Sequence, residues 1–207
     1  METILINGHS GKFGQAIYQS LAEYNRIGCN QTHTLMQALA LQTPDVIIDV
    51  TNSQTIYKLL PIYMDLKIPT IIGTSGIFPK DAYTISKKAD YPLLIVPNFA
   101  KGLKDIIQSS LMLQKTASNI QIIETHHQSK LDSPSGTSQF LAHILGTQKI
   151  TSHRVDKYIA KHEIIITLPN KTVTFTHEIK NLKEFIPGVL DSIQIIKGKK
   201  DGDVLFF

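Results

Sequence analysis

The sequence is short of cysteine and of long apolar runs, and each shortage excludes a class of protein. Cys29 is the only cysteine among 207 residues, which excludes a disulfide bond within the chain and is typical of a reducing compartment. No apolar run approaches the ~18–20 residues of a membrane-spanning helix. No basic segment precedes the first apolar residues, as it does in a signal peptide. We therefore expect a cytoplasmic protein that does not associate with a membrane.

An excess of one charge is also absent. The 21 Lys and Arg residues nearly balance the 17 Asp and Glu residues, which leaves a net charge of +4. The basic residues are scattered, without the Lys/Arg-rich tract and interleaved aromatic residues of a nucleic-acid surface. We expect no nucleic-acid partner and favour small phosphate and carboxylate ligands, which a modest positive balance also suits.

Metal ligands at a recognisable spacing are missing as well. The adjacent histidines His126 and His127 lack the i, i+4 spacing of a helical zinc pair, and Cys29 has no second cysteine to act with it. We expect no metal site. The 42% hydrophobic content is that of a globular protein with one large domain or two small ones.

The first half of the sequence alternates between strand and helix patterns. After a strand at residues 3–7, Phe13, Ala16 and Ile17 recur at the i, i+3, i+4 spacing of one helix face. An apolar run at 45–50 is typical of a buried parallel strand. The segments that follow are a helix at 53–66, a strand at 70–73, a helix at 80–89 and a strand at 93–96. This alternation predicts a Rossmann-like α/β domain with a parallel sheet.

A loop with three glycines, at positions 8, 11 and 14, connects the first strand to the first helix. Strand, glycine loop and helix in this order are the context that a nucleotide-phosphate site requires. The glycines let the backbone approach the phosphates, and the helix N-terminus faces their charge. A purely structural turn explains the pattern about as well. As a cofactor site, the loop would use Gly8, His9, Ser10, Gly11, Lys12 and Phe13.

The second strand of an ordinary nucleotide domain is hard to find. Its terminal acid, which holds the adenosine ribose, has no counterpart, because no Asp or Glu occurs between Glu23 and Asp45. Residues 25–33 are too polar for a buried parallel strand. We predict that the domain is truncated and has lost most of this strand, possibly more. Arg26 could serve a 2′-phosphate, although a solvated arginine is the simpler interpretation.

The second half of the sequence changes character and predicts a second, α+β domain. A long helix at 103–116 precedes a strand at 119–124, and strands at 163–168 and 172–179 form a hairpin pattern around 169–171. The last of these strands alternates between apolar and polar residues, as in an antiparallel sheet with one covered face. We expect a nucleotide-binding domain at 1–100 and a second domain with a mixed or antiparallel sheet at 101–182. A helix at about 183–197 would return residues 183–207 to the first domain.

The most informative segment is residues 124–137, E-T-H-H-Q-S-K-L-D-S-P-S-G-T. Its histidines and lysine can donate protons and hold carboxylates, and its Ser-Pro-Ser-Gly-Thr end is a helix start that suits an anion. A strand precedes the segment and a helix at 137–145 follows, so we expect these groups in a loop. Solvated surface histidines and an ordinary helix cap are the alternative.

This segment resembles the signature of the 4-hydroxy-tetrahydrodipicolinate reductase (dihydrodipicolinate reductase) family, E-x-H-H-x-x-K-x-D-[AS]-P-S-G-T, at every position. The resemblance covers most of the chain and includes the glycine loop, two strand ends at 73–76 and 96–99, and a Thr-His pair at 176–177. It implies NAD(P)H-dependent reduction of an unsaturated cyclic imine dicarboxylate in lysine and diaminopimelate biosynthesis.

The resemblance also implies roles for individual residues. Lys130 would be the proton donor, with His126 as the acid or base beside it. The substrate carboxylate would be held by His127, Gly136 and Thr137. NADPH or NADH would contact, besides the glycine loop, a second set of residues: Gly73, Thr74, Ser75, Val96, Pro97, Asn98 and Phe99. The family assembly is a homotetramer built through the second-domain sheet.

Two departures from the family keep alternatives open. Arg154 and His162 retain the spacing of a glycine-bearing family stretch, but Asp156 and Ala160 replace its glycines. A family Ser-Arg pair becomes the dipeptide at 181–182. The chain could therefore be a non-catalytic or regulatory relative that binds a dicarboxylate or a nucleotide, or another nicotinamide-dependent dehydrogenase on the same fold.

Overall fold

The structure is a computed structural model that describes residues 1–30, 33–74, 76–156 and 160–207. Its elements in chain order are β1 Thr3–Asn7, α1 Lys12–Ser20, β2 Asn25–Cys29, α2 Leu35–Leu41, β3 Val46–Asp49, α3 Ser53–Leu66, β4 Thr70–Ile72, α4 Pro79–Lys88, β5 Leu93–Asn98, α5 Leu103–Gln114, β6 Asn119–His127, α6 Gly136–Ile144, β7 Ile150–Val155, β8 Ala160–Leu168, β9 Lys171–Ile179, a 3-10 turn Leu182–Phe185, α7 Ile186–Ile196 and β10 Gly202–Phe206.

Six parallel strands form the first sheet, in the spatial order β10-β5-β4-β3-β1-β2. Leu5 and Ile47 pack with α3 on one face. Ile6 and Ile48 pack with α1 and α7 on the other face. Each of these side chains is fully buried, which stabilises the fold by roughly 1.5–3 kcal/mol per side chain. The predicted Rossmann-like parallel sheet is confirmed.

The prediction that most of the second strand is lost was wrong. β2 pairs in parallel with β1 over its whole length, from Thr3↔Asn25 to Asn7↔Cys29. It is the outermost strand, and all its residues except Cys29 are at least partly exposed. An edge strand tolerates polar residues, so a polarity rule for buried parallel strands does not apply to it. What the described residues lack is a further strand beyond β2, which the usual Rossmann order contains.

The C-terminal segment contributes a strand that the sequence patterns did not predict. β10 pairs in parallel with β5 at the opposite edge of the first sheet. Gly202 begins this strand, and a Cβ there would lie 2.3 Å from the carbonyl oxygen of Ser86 in α4. The absence of a side chain at this position therefore lets β10 dock against α4.

The second sheet is mixed, with the order β7-β6-β8-β9; β6 is parallel to β7 and antiparallel to β8. The predicted hairpin is confirmed as β8–β9, whereas β7 was not predicted. Ile122 and Ile164 pack with α5 and α6 on one face of the sheet. On the other face, Ile123 and Ile165 remain partly exposed. No helix in the described ranges is both long enough and apolar enough to cross a membrane.

Candidate active site

A cavity of about 240 Å³ lies where the two sheets meet. On one side, α1 and the carboxyl ends of β4 and β5 line this cavity. On the other side, β6, the start of β8 and the loop before α6 line it. The lining residues are Phe13, Gly73, Pro97, Asn98, Phe99, His126, Lys130, Thr137, Ala160, His162, Leu182 and Phe185. The cavity thus brings together predicted cofactor residues and predicted catalytic residues that are far apart in the sequence.

His126 lies on β6, so the expectation that both histidines sit in a loop was wrong. β6 continues through His127 because it pairs with β7 on one side and with β8 on the other, beyond the end of its apolar run. His126 is buried, and its Nδ1 is hydrogen-bonded to the carboxylate of Glu124. Its ring lines the cavity.

Glu124 is an ionised carboxylate in a buried position. Burial by itself raises the pKa of Glu124, but hydrogen bonds from His126, Arg154 and Ser152 outweigh burial and lower the pKa to about 2. The Arg154 Nη2 donor lies 3.0 Å from Glu124 Oε1. An ionised carboxylate can only accept, so His126 must carry its proton on Nδ1. Nε2 is then the ring nitrogen left for a ligand.

His127 does not reach the cavity. Successive side chains of a strand point to opposite faces, and His127 is exposed where His126 is buried. Its Nδ1 accepts from the backbone N–H of Ser129 at 3.2 Å and lies 2.9 Å from the Ser129 hydroxyl. Its contribution to substrate binding stays a prediction.

Lys130 and Thr137, the second residue of α6, both line the cavity, whereas Gly136 is buried beside Thr137. Lys130 Nζ lies 2.8 Å from Asp132 Oδ1. Ser135 caps α6 by accepting from Ser138 N–H at 3.3 Å. The N–H groups of Gly136 and Thr137, the first two residues of the helix, have no acceptor within it. A helix start beside an ammonium group can bind a carboxylate.

His162 is a cavity residue to which the sequence patterns assigned no role. It is only 2% exposed, and its ring contacts that of His126 edge to face, with centroids 5.1 Å apart. Its Nε2 lies 3.3 Å from the Ser135 hydroxyl, and its Nδ1 has no hydrogen-bond partner in the part of the chain described. Burial, together with the charges of neighbouring histidines, lowers the pKa of His162 to about 3. A neutral imidazole therefore faces the cavity; the family spacing from Arg154 was its only signal in the sequence.

Three aromatic rings connect the cavity to the glycine loop. Phe13 packs against Phe99 and Phe185, with ring centroids 5.9 Å and 5.6 Å apart. Gly73 lies directly beneath Phe99, because a Cβ at Gly73 would come within 2.2 Å of that ring. α1, β4 and β5 thus form an apolar wall on which a flat ring can lie.

A second cavity, of about 420 Å³, lies on the other side of the glycine loop. Gly8, Ser10 and Gly11 line it together with Asn30, which follows β2. Gly8 has a φ of +89°, a conformation that favours glycine. The cavity lies at the carboxyl ends of β1, β2 and β3, the edge where open α/β sheets bind ligands.

The glycine loop is held in place by β2. The N–H groups of Gly8 and His9 both donate to the Cys29 carbonyl oxygen at 3.1 Å. The His9 ring packs over Gly28, where a Cβ would be 2.6 Å from the imidazole. His9 is thus engaged with the protein itself, which leaves the N–H groups at the start of α1, whose first residue, Lys12, is exposed.

A buried carboxylate, Asp49, joins the carboxyl ends of three neighbouring strands. It accepts from Asn7 Nδ2 at 3.0 Å and from the hydroxyl groups of Thr51 and Thr74 at 2.7 Å each. Tyr63 donates to it at 2.6 Å, and burial together with the Asp49 charge raises the Tyr63 pKa. The Thr74 hydroxyl therefore supports the sheet edge from within.

Val96 and Arg26 fall outside the two cavities. Val96 is buried in the core between the sheet and α7 and can offer a ligand only its backbone. Arg26 lies near the start of β2, at the far end from the cofactor edge, and its guanidinium stacks on Tyr18 at 4.7 Å. The 2′-phosphate role considered for Arg26 was therefore wrong. Ser75 lies outside the described residues.

Models of one protein family match nearly the whole chain. The model described as the N-terminus of dihydrodipicolinate reductase matches residues 19–99, and the model described as its C-terminus matches residues 102–206. Curated relatives agree. A 4-hydroxy-tetrahydrodipicolinate reductase from Dehalococcoides mccartyi strain CBDB1 is 26% identical over 242 aligned positions, covering 93% of this chain and 92% of that protein. One from Cyanothece sp. strain PCC 7425 is 26% identical, with 92% and 91% covered.

Solved structures share the fold. The dipicolinate-bound dihydrodipicolinate reductase from Paenisporosarcina sp. TG-14 superimposes with a TM-score of 0.74 and 20% identity, covering 99% of this chain and 97% of that one. Aspartate dehydrogenase from Thermotoga maritima follows with a TM-score of 0.59 and 11% identity, covering 100% and 99%. The sequence alignment with the Dehalococcoides protein spans more positions than the 207 residues of this chain. That relative therefore contains segments that this chain lacks.

Proposed function

The chain belongs to the dihydrodipicolinate reductase family and carries out the family reaction, the NAD(P)H-dependent reduction of 4-hydroxy-tetrahydrodipicolinate in lysine and diaminopimelate biosynthesis; we propose that the cavity between its two sheets is the site of this reaction. One observation carries the proposal. The cavity is lined by two candidate proton-handling groups, His126 and Lys130, together with the apolar wall formed by Phe13 and Phe99.

The substrate carboxylate is held at the start of α6. The free N–H groups of Gly136 and Thr137 lie at the N-terminus of α6, which is the positive end of the helix dipole. The Lys130 ammonium group, which is paired with Asp132 at 2.8 Å, lines the same cavity. Because charge-assisted hydrogen bonds are about twice as strong as neutral ones, these groups favour a carboxylate over a neutral group.

Proton delivery falls to Lys130 and His126. The reaction adds one hydride and one proton and releases the 4-hydroxyl group as water, so an acid must face the substrate. The Lys130 ammonium group is the proton donor, and His126 Nε2 is the acid or base beside it. A side chain within hydrogen-bond reach can contribute roughly 10²–10⁴-fold in rate as a general acid. His162 stays neutral at working pH and supplies a hydrogen-bonding wall.

The residues on both sides of the glycine loop fit NADH or NADPH. The larger cavity takes the adenosine end, and the start of α1, with Lys12, faces the pyrophosphate. The apolar wall of Phe13, Gly73 and Phe99 takes the nicotinamide ring. A Cβ at Gly8 would lie 2.9 Å from the Val50 carbonyl oxygen, so the close turn depends on glycine at that position. The reduced nicotinamide supplies the hydride when bound.

Asn30 bears on the choice between the two cofactors. It follows β2 and lines the larger cavity, the place where an acid holds the ribose 2′-hydroxyl in NAD-dependent relatives of the fold. A neutral amide does not repel a 2′-phosphate. We therefore expect NADPH to be accepted at least as well as NADH.

The protein works in the cytoplasm as a homotetramer assembled through the second sheet. α5 and α6 cover one face of that sheet. The other face carries the partly exposed Ile123 and Ile165 among threonines. Strands with apolar residues on an uncovered face can bury them against a second copy.

An absorbance assay at the nicotinamide band tests the reaction. Purified protein with 4-hydroxy-tetrahydrodipicolinate should oxidise NADPH or NADH at a rate proportional to enzyme concentration, and no oxidation should occur without the dicarboxylate. Calorimetry with dipicolinate supplies the second measurement. Dipicolinate binding by folded protein without turnover of either cofactor would contradict the catalytic role and favour the non-catalytic dicarboxylate-binding alternative.

A further inference from the structure

We propose that the buried ion pair between Glu124 and Arg154 positions both proton-handling groups from behind the cavity. The proposal deepens the proposed function and rests on it. Neither residue is among those that line the cavity. Glu124 has a fully buried side chain, and that of Arg154 is 21% exposed. They are therefore positioning residues, which act through His126, Lys130 and the start of α6.

Glu124 connects three structural elements. One carboxylate oxygen accepts from His126 Nδ1 on the same strand. The other accepts from Arg154 Nη2 on β7 at 3.0 Å and from the Ser135 N–H at 3.3 Å. Ser135 is the cap of α6, so a single carboxylate orients the acid or base and the beginning of the carboxylate site.

Arg154 holds the loop that carries Lys130. Its Nε donates to the Lys130 carbonyl oxygen at 3.3 Å, and its Nη2 donates to the Asp132 carbonyl oxygen at 2.6 Å. Its Nη1 donates to the His153 carbonyl oxygen at 2.8 Å. The planar, five-donor guanidinium group satisfies these acceptors together with Glu124, which one ammonium group could not do. The loop between β6 and α6 is therefore fixed to β7 through its backbone.

The pair sits within a cluster of titratable groups around His162. These groups are His126 on β6, His162 on β8, His177 on β9, and Lys130 and Asp132 in the loop. Glu124 belongs to the same cluster, and its carboxylate contacts the His126 imidazole. It thereby selects the form of His126 that carries its proton on Nδ1 and presents Nε2 to the cavity.

Glu124→Gln gives a specific test, because an amide has one acceptor and one donor end. Arg154 and the Ser135 N–H can only donate, whereas the Ser152 hydroxyl group that also bonds Glu124 can donate or accept, so the amide oxygen stays with the first two. The NH₂ group then faces His126, which must accept on Nδ1 and carry its proton on Nε2. The substitution should reverse the tautomer of His126 and leave the α6 cradle in place.

Three measurements follow this variant. Long-range ¹H–¹⁵N spectra at alkaline pH, assigned with His126→Asn, should report the Nδ1–H tautomer in the parent and the Nε2–H tautomer in Glu124→Gln. The kcat should fall roughly 10²–10⁴-fold, as a wrong tautomer removes a general acid or base. The Kd of dipicolinate should change less than about threefold, since each tenfold change would need the loss of about 1.4 kcal/mol of contacts.

Glu2→Gln is the matched control. Glu2 forms an ion pair with Lys197 at 2.7 Å, at the amino end of the first sheet and away from both cavities. This variant should keep the parent tautomer and kcat. Arg154→Lys is the second variant. It should keep the Nδ1–H tautomer but lower kcat roughly 10-fold or more, because a lysine cannot hold Glu124 and the loop carbonyl groups together.

The outcomes separate this inference from the proposed function. An inactive parent with the Nδ1–H tautomer would contradict the catalytic role and leave the positioning by Glu124 supported. An active parent with the Nε2–H tautomer, or an unchanged tautomer and kcat in folded Glu124→Gln, would overturn the inference. If Glu124→Gln does not fold, the inference is tested by the parent spectrum and by the kcat of Arg154→Lys. A parent-like kcat in Arg154→Lys would then overturn the inference.

Discussion

The hydroxyl group of Thr137, in the first turn of α6, donates to the Pro97 carbonyl oxygen at the end of β5 at a distance of 3.3 Å. Asn98 Nδ2 donates to the same hydroxyl group, also at 3.3 Å. One side chain therefore ties the helix start at which we propose that the substrate carboxylate binds to the strand end that we propose faces the cofactor. The cavity depends on this connection, because its two walls belong to different sheets.

Thr137→Val should raise KM for the dicarboxylate several-fold with a smaller effect on kcat. Valine has nearly the same shape but removes both hydrogen bonds, each of which contributes about 0.5–1.5 kcal/mol. Steady-state kinetics and a thermal melt measure the two effects. Thr116→Val is the control, since the Thr116 hydroxyl bonds only the Leu113 carbonyl oxygen on the surface. An unchanged KM would show that the connection does not shape the substrate site.

Lys130→Ala should lower kcat roughly 10²–10⁴-fold, the contribution expected of a general acid. KM should change less than kcat, because a proton donor acts mainly in the transition state, although the same ammonium group also lines the carboxylate site. The comparison is Lys115→Ala, which removes an exposed lysine at the end of α5. Parent-like kcat in Lys130→Ala would show that another group delivers the proton.

Asn30→Asp should shift cofactor preference toward NADH. The aspartate keeps the oxygen that accepts from His33 N–H at 2.7 Å. Its negative charge should repel a 2′-phosphate and can hold a ribose hydroxyl group. We expect the Kd of NADPH to rise about tenfold relative to that of NADH, measured by fluorescence titration. Asn170→Asp in the β8–β9 turn serves as the control, and an equal effect on both cofactors would contradict this assignment.

Acid should destabilise the protein through Glu124. Its pKa is about 2 in the folded state against an ordinary value of 4.5. A lowered carboxyl pKa contributes stability that is fully present above about 4.5 and is lost as pH falls toward 2. The free energy of unfolding in urea should therefore fall over this range, and less so in Glu124→Gln. Parallel pH curves for the parent and the variant would contradict the pKa shift.

Ile165→Lys tests the assembly. Ile165 lies on the uncovered face of β8, where a lysine can remain solvated in a monomer but would be buried in a sheet-to-sheet interface. Light scattering should report a tetramer for the parent and a smaller species for the variant. Ile195→Lys, on the surface of α7, should leave the assembly unchanged. A parent that is monomeric at all concentrations would rule the tetramer out.

Local pattern was sufficient where an element depends on its own neighbours in sequence. The helix Ser53–Leu66 was predicted at its observed bounds, because its apolar residues recur at helical spacing. The β8–β9 hairpin followed from alternation around a turn at 169–171. The family followed from the motif at 124–137, whose residue types and spacing are specific even without coordinates.

Tertiary structure alone decided what depends on distant partners. β2 looked too polar for a strand until its position at the sheet edge made that polarity acceptable, and β10 exists as a strand because β5 offers it an edge. Glu124 and Arg154 are 30 residues apart in sequence, so no local period reveals their contact. The opposite orientations of His126 and His127 likewise follow from the continuation of β6 between β7 and β8. Sequence thus determined the family, the two kinds of sheet and the candidate residues. Packing decided which of those residues share a cavity, because burial and pairing between remote strands, and not periodicity, set the direction of each side chain.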